Sequence, residues 1–157
     1  MVRNAVTYRK APLSEVVFGV QFEPVPNFRT IDLAELYSHF SDEYPITQEH
    51  LPLEPRIETF GGNVNGQGIR FAIGPAPVRA RHWFVDATND HLLQFQDDRL
   101  LLNWRKTEAE NSYPRFSGVS AKFLEALDIL GQHFEEKYSA DITVTQAEVS
   151  YINTIPV

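Results

Sequence analysis

Residues 91–106, HLLQFQDDRLLLNWRK, change character with every step: folded about Asp97-Asp98, Phe95 opposes Leu100, Leu93 opposes Leu102 and His91 opposes Trp104. A two-residue period marks a strand with one buried side, and slipping it by one residue would turn every apolar group outward. The hairpin therefore demands a sheet with two unlike faces. One face carries these apolar pairs and belongs beneath helices. The other carries Leu92, Gln94, Gln96, Arg99, Leu101, Asn103 and Arg105.

The rest of the chain supplies the missing parts. EVVFGVQFE, residues 15–23, alternates Val16, Phe18, Val20 and Phe22 against Gln21 and Glu23, and Pro24 and Pro26 end it. Thr30 is a candidate N-cap for a short helix whose Leu33, Leu36, Tyr37 and Phe40 share one side before Pro45. The proline-punctuated stretch 46–55 reads as a crossing over one end of the sheet. Residues 57–60 and 69–73 read as strands flanking the glycine-rich GGNVNGQG, residues 61–68, and residues 81–87 as a further strand ending in a turn at Asn89-Asp90. After Pro114 the period lengthens: Phe116, Val119, Phe123, Ala126, Leu127, Leu130 and Phe134 recur at three and four residues, as in an amphipathic helix. VTQAEVSYINTI then returns to strand character. The expected fold is a single α+β domain over residues 1–157: a two-layer sandwich with a mostly antiparallel sheet of about six to seven strands and two helices on one face.

Several chemistries are excluded or disfavoured by composition. The chain has no cysteine, which removes disulfides, thiolate metal sites and cysteine nucleophiles. Its net charge of -7 repels phosphate backbones, and Arg79, Arg81 and His82 are the densest basic gathering, read here as a solvated strand edge. Nucleic acid is thus an unexpected partner. No run of about 18 apolar residues exists to cross a bilayer, and MVRNAVTYRK lacks a secretion signal's apolar stretch, so the expected location is the cytoplasm.

Motifs for catalysis and metal binding are missing. His39, His50, His82, His91 and His133 show no HxH, HExxH or facial-triad spacing, and His133 with Glu136 reads as a solvated helix face. No G-x-S-x-G or S-x-x-K occurs, and GGNVNGQG lacks the Lys-Ser/Thr of a phosphate loop. No catalytic residue, cofactor or metal site is assigned.

The polar side of the hairpin is the remaining candidate. Amides and arginines mixed with leucines resemble a protein interface, where Arg is enriched and Lys depleted. Gln21 on the first strand, Gln94, Asn103 and Arg105 on the hairpin, and Tyr151 and Asn153 on the last strand form the candidate set for binding a partner or ligand. The competing reading is that amides on neighbouring strands bond to each other, to loop backbone or to water.

Taken together, Tyr8, Ala11-Pro12-Leu13, Glu15-Val16-Val17, Gln21-Phe22, LLQFQDDRLLLNWR, Tyr113-Pro114 and Tyr151-Ile152-Asn153 resemble a family of uncharacterised, sporadically distributed bacterial proteins. The resemblance spans nearly the whole chain and implies no activity, cofactor or catalytic residue. Members of that family are usually longer, which implies that this chain is the N-terminal part of a longer protein or a short variant. Patchy distribution implies an accessory system, of the defence or toxin kind.

The functional expectation is a non-catalytic interaction module that binds a protein partner or a second copy through the polar sheet face or an edge strand. The alternative is a small-molecule-binding protein or enzyme with a pocket between sheet and loops. In that version Arg105 holds an anion, and Glu15, Glu23 or Tyr151 are acid-base candidates.

Overall fold

A computed structural model of the chain describes residues 12–54, 80–108 and 112–155. The candidate strands at 57–60 and 69–73 and the glycine-rich segment between them lie outside the described residues. Six strands form one antiparallel sheet: β1 (Leu13–Phe22), β2 (Ile46–His50), β3 (Arg81–Val85), β4 (His91–Gln96), β5 (Arg99–Arg105) and β6 (Val144–Asn153), in the order β2-β3-β4-β5-β1-β6. Helices α1 (Leu33–Ser38), entered through a 3-10 turn at Thr30–Asp32, and α2 (Arg115–Tyr138) complete the sandwich.

Pairing follows the alternation. In the β4–β5 hairpin His91, Leu93 and Phe95 lie opposite Trp104, Leu102 and Leu100. Strand β1 sets Val16, Phe18 and Val20 beside Trp104, Leu102 and Leu100 on that same side. Helix α2 lies across β1 and β5 and turns Val119, Phe123, Ala126, Leu130 and Phe134 inward. Phe18 meets the rings of Phe116 and Phe123 at 5.2 Å and 6.1 Å. Helix α1 packs on the same face, with Tyr37 and Phe40 against Phe84 of β3. Both helices therefore cover one side of the sheet, as the apolar period requires.

Local chemistry fixes the ends. After β3, Asn89 takes a left-handed φ of 61°, while the Asp86 carboxylate accepts the backbone N–H of Asp90 at 2.8 Å and the Thr88 hydroxyl at 3.0 Å. Asparagine tolerates that backbone, and an aspartate side chain that accepts nearby donors closes the turn. Helix α2 stops where Ser139 adopts φ 50° and Ala140 N–H donates back to the Phe134 carbonyl at 3.3 Å.

Three expectations change. Residues 46–50 form edge strand β2 rather than a bare crossing, because their backbone pairs with Arg81–Val85. Thr30 begins the 3-10 turn and Arg29 occupies the cap position, where the Asp32 carboxylate accepts the Arg29 backbone N–H at 3.1 Å. His133 is buried within the sandwich rather than on a solvated helix face.

Candidate functional site

Alternation places Glu15, Val17, Gly19 and Gln21 of β1 on the sheet side away from the helices, together with Arg99, Leu101, Asn103 and Arg105 of β5. Leu92, Gln94 and Gln96 of β4 and Arg81, Trp83 and Val85 of β3 extend that side. The amides at its centre are internal, with Gln94 and Asn103 only 5% and 6% exposed. They are linked in a row across four strands. Arg81 Nη1 donates to Gln94 Oε1 at 3.1 Å, Gln94 Nε2 to Asn103 Oδ1 at 2.6 Å, and Asn103 Nδ2 to Glu15 Oε1 at 2.6 Å. A guanidinium closes one end and a carboxylate the other, so each amide in between receives one hydrogen bond and gives one.

Gln96 plays a comparable part at the hairpin end. Its Oε1 accepts the Leu53 N–H at 2.8 Å while its Nε2 donates to the Leu53 carbonyl at 3.1 Å, holding residues 51–54 onto this side of the sheet. Arg99, also buried, pairs with Asp98 through two bonds of 2.9 Å and 3.0 Å.

Of the six candidate residues, Gln21, Gln94, Asn103 and Arg105 share this side. Gln94 and Asn103 touch. Gln21 sits at the far end, opposite Arg99 and Gln146, and Arg105 bonds to the Asn89 carbonyl and side chain. Tyr151 lies on the helix side, opposite Val16, with its hydroxyl 3.5 Å from that of Tyr113. Asn153 is opposite Leu13, which packs against the core. The six do not converge, because the odd-numbered positions of β6 face the helices.

Two groups were not singled out from the sequence as sites. Trp83 stacks on His50 at 3.8 Å, and Arg81 and Arg105 hold their guanidinium carbons 5.3 Å and 5.9 Å from its ring centre. The alternation that unites Arg81, Trp83 and Gln94 on one side was the signal available for this cluster. On the helix side, His39 Nε2 lies 3.2 Å from His133 Nδ1. Burial, and then the neighbouring His39, lowers the pKa of His133. Nearby, Arg29 bonds both carboxylate oxygens of Asp32 and holds its pKa well below the usual range. Lys137 pairs with Glu35 and lies 3.5 Å from Asp32.

No group of acidic or histidine side chains with metal-holding geometry occurs among the described residues. A cavity of about 230 Å³ opens between Phe28, Leu33, His82 and Phe95. Arg105 is not among its described lining residues, so this cavity is not the Arg105-walled pocket expected from the sequence.

The last feature is an edge. Among the described residues β6 pairs with β1 alone, and Val144, Val149, Tyr151 and Ile152 are between 45% and 48% exposed. Phe116 and Leu124 on the outer part of α2 are 55% and 56% exposed. No helix among the described residues is long and apolar enough to cross a membrane. Compared with protein-family models, curated proteins and solved structures, the chain matches none.

Proposed function

We propose that the chain is a non-catalytic interaction module that adds its β6 edge to the β6 edge of a second copy. The observation that carries this reading is the character of β6: a ten-residue edge strand whose apolar side chains remain about half exposed. Sheet edges are ordinarily blunted by shortness, lysine, proline or bulges, because unpaired N–H and C=O groups recruit further strands. The opposite edge, β2, follows that practice with five residues set between Pro45 and Pro52. β6 does not. VTQAEVSYIN contains no Lys, Arg or Pro, its one charge is Glu148, and its pairing with β1 is regular from Gln146 to Ile152.

Self-pairing fits this sequence. Antiparallel pairing about a two-fold axis through Val149 sets Ala147 opposite Tyr151 of the second copy on the helix side, and Glu148 opposite Ser150 on the other. On the helix side that register joins apolar to apolar, and on the other it keeps the two glutamates from facing each other. It also uses up the β6 edges of both copies in one closed dimer. The likeness to sporadically distributed bacterial proteins supports placing such a module in an accessory system of the defence or toxin kind.

Sedimentation velocity over a dilution series tests the reading. A monomer–dimer equilibrium is expected, and Val149→Lys shifts it to monomer while keeping the melting temperature that the wild-type chain shows at dilutions where it too is monomeric. A wild-type chain that stays monomeric at its highest soluble concentration sinks the self-association, including the case in which β6 accepts a strand from a different protein.

A further inference from the structure

Three N–H donors without acceptors gather at one indole, its own and one from each of two guanidinium groups. Arg81 Nε, Trp83 Nε1 and Arg105 Nε are all buried and unpartnered, and both guanidinium groups lie over the Trp83 ring. None of these atoms can accept a hydrogen bond. Whatever completes the cluster must therefore bring acceptors, since a buried donor left unmade is unfavourable and a charged one more so.

The charge balance points the same way. Arg29 and Arg99 each pair with a carboxylate. Arg81 and Arg105 bond only to neutral oxygens: Gln94 Oε1 for the first, the Asn89 carbonyl and side-chain oxygen for the second. Among the described residues, two cations thus lie on one sheet side without an anionic partner, in a chain whose net charge is -7. Burial, and then the nearby Arg99, lowers the pKa of Arg81, as befits a cation lacking a counter-charge.

The geometry is also held in place. Gln94 engages Arg81 through Nη1, leaving the Nε/Nη2 edge, which takes a carboxylate or phosphate through two parallel bonds. Gln94 itself is buried and tied to Asn103, while His50 braces the indole from β2. Arg81, Trp83 and Arg105 are partly accessible as residues while the three unpartnered nitrogens are themselves covered, so a small anion reaches those donors on a shift of the flexible guanidinium groups.

We propose that Arg81, Trp83 and Arg105 form a binding site for the oxyanion of a small molecule, a carboxylate or a phosphate. The site lies on the sheet side away from the helices and does not depend on β6 association, so the two readings stand or fall separately.

Isothermal titration calorimetry at constant ionic strength, with inorganic phosphate, pyrophosphate and citrate as probes, tests it. The Trp83 indole N–H proton resonance serves as a second readout. Saturable binding is expected, with a shift of that resonance. Selectivity for the phosphates identifies a phosphate site, and selectivity for citrate a carboxylate site. Arg81→Gln and Arg105→Gln each weaken binding by about tenfold or more, and Arg81→Lys, which keeps the charge but loses the planar fork, weakens it as well. Lys122→Gln, a change on exposed α2, leaves it unaltered. Trp83→Phe keeps an aromatic ring and removes the indole donor, and its weaker binding carries the test should the Arg81 variants unfold. No saturable binding of any probe to the wild-type chain overturns the proposal, as does equal affinity in the Arg81→Gln/Arg105→Gln double variant. Equal weakening by Lys122→Gln overturns it too, because it would reduce the effect to net charge.

Discussion

At the scale of single residues, the amide row between Arg81 and Glu15 gives a sharp stability expectation. Asn103→Leu removes the acceptor of Gln94 and the donor to Glu15 at a position only 6% exposed. Leaving such groups unpaired destabilises by about 1–3 kcal/mol, measurable as a lower urea midpoint with an unchanged slope. His133 supplies a pH expectation. Its imidazole is 4% exposed and faces His39, with Glu35 and Glu136 favouring its charged form and Lys137 opposing it. Because the folded pKa is depressed, the unfolded chain binds a proton first. Stability from this group is present above about pH 6.5 and falls as pH drops below that value toward the folded pKa. Thermal melts between pH 8 and 5.5 should show the fall, and His133→Leu should make it shallower, the remainder coming from His82, whose pKa burial also lowers. Asp32 acts in a different window, since Arg29 holds its carboxyl low: its contribution is present above the ordinary carboxylate pKa and is lost as pH falls from there toward the depressed folded value. The period-two pattern was enough to put Gln94, Asn103 and Arg105 on one side. It did not reveal that Gln94 bonds to Asn103, or that Asn103 reaches Glu15 on β1, because the second contact joins residues 88 positions apart.

At the scale of elements, period and apolar contrast decided what could be read. Strands β1, β4 and β5 and helix α2 each bury one apolar stripe, so their type and side followed from spacing alone. β2, ITQEH, offers almost no such contrast and is mostly exposed. It is a strand because β3 supplies backbone partners, a non-local cause that short-range pattern does not carry. Gly19 marks where β1 meets its neighbours most closely. A Cβ there would lie 2.3 Å from Leu101 Cδ2 and 3.1 Å from Glu148 Cγ, so the glycine lets the β5 leucine lie flat on the sheet. Gly19→Ala forces that leucine to move within a buried layer and should destabilise the fold by about 1–3 kcal/mol in chemical denaturation.

At the scale of the whole molecule, two layers with both helices on one side of the sheet were legible because that arrangement buries the apolar stripes; the burial of the other side of β4 and β5 was not. Strand order was not, for β1 sits between β5 and β6 through pairings that link distant parts of the chain. The order matters because it sets β6 outside the main contacts of α2, which lie on β1 and β5. Nor did composition distinguish an amide-rich surface from an amide-rich interior: the same glutamines and asparagine that resemble an interface are consumed by their neighbours and by Leu53. Exposure passes instead to the edge of β6, where apolar side chains and unpaired backbone coincide. Hydrogen–deuterium exchange of the β6 amides at low and high protein concentration tests that claim most directly. Every second amide in Val144–Asn153, those pointing away from β1, should gain protection as concentration rises, while β2 should not change. Exchange in β6 that is indifferent to concentration would contradict it.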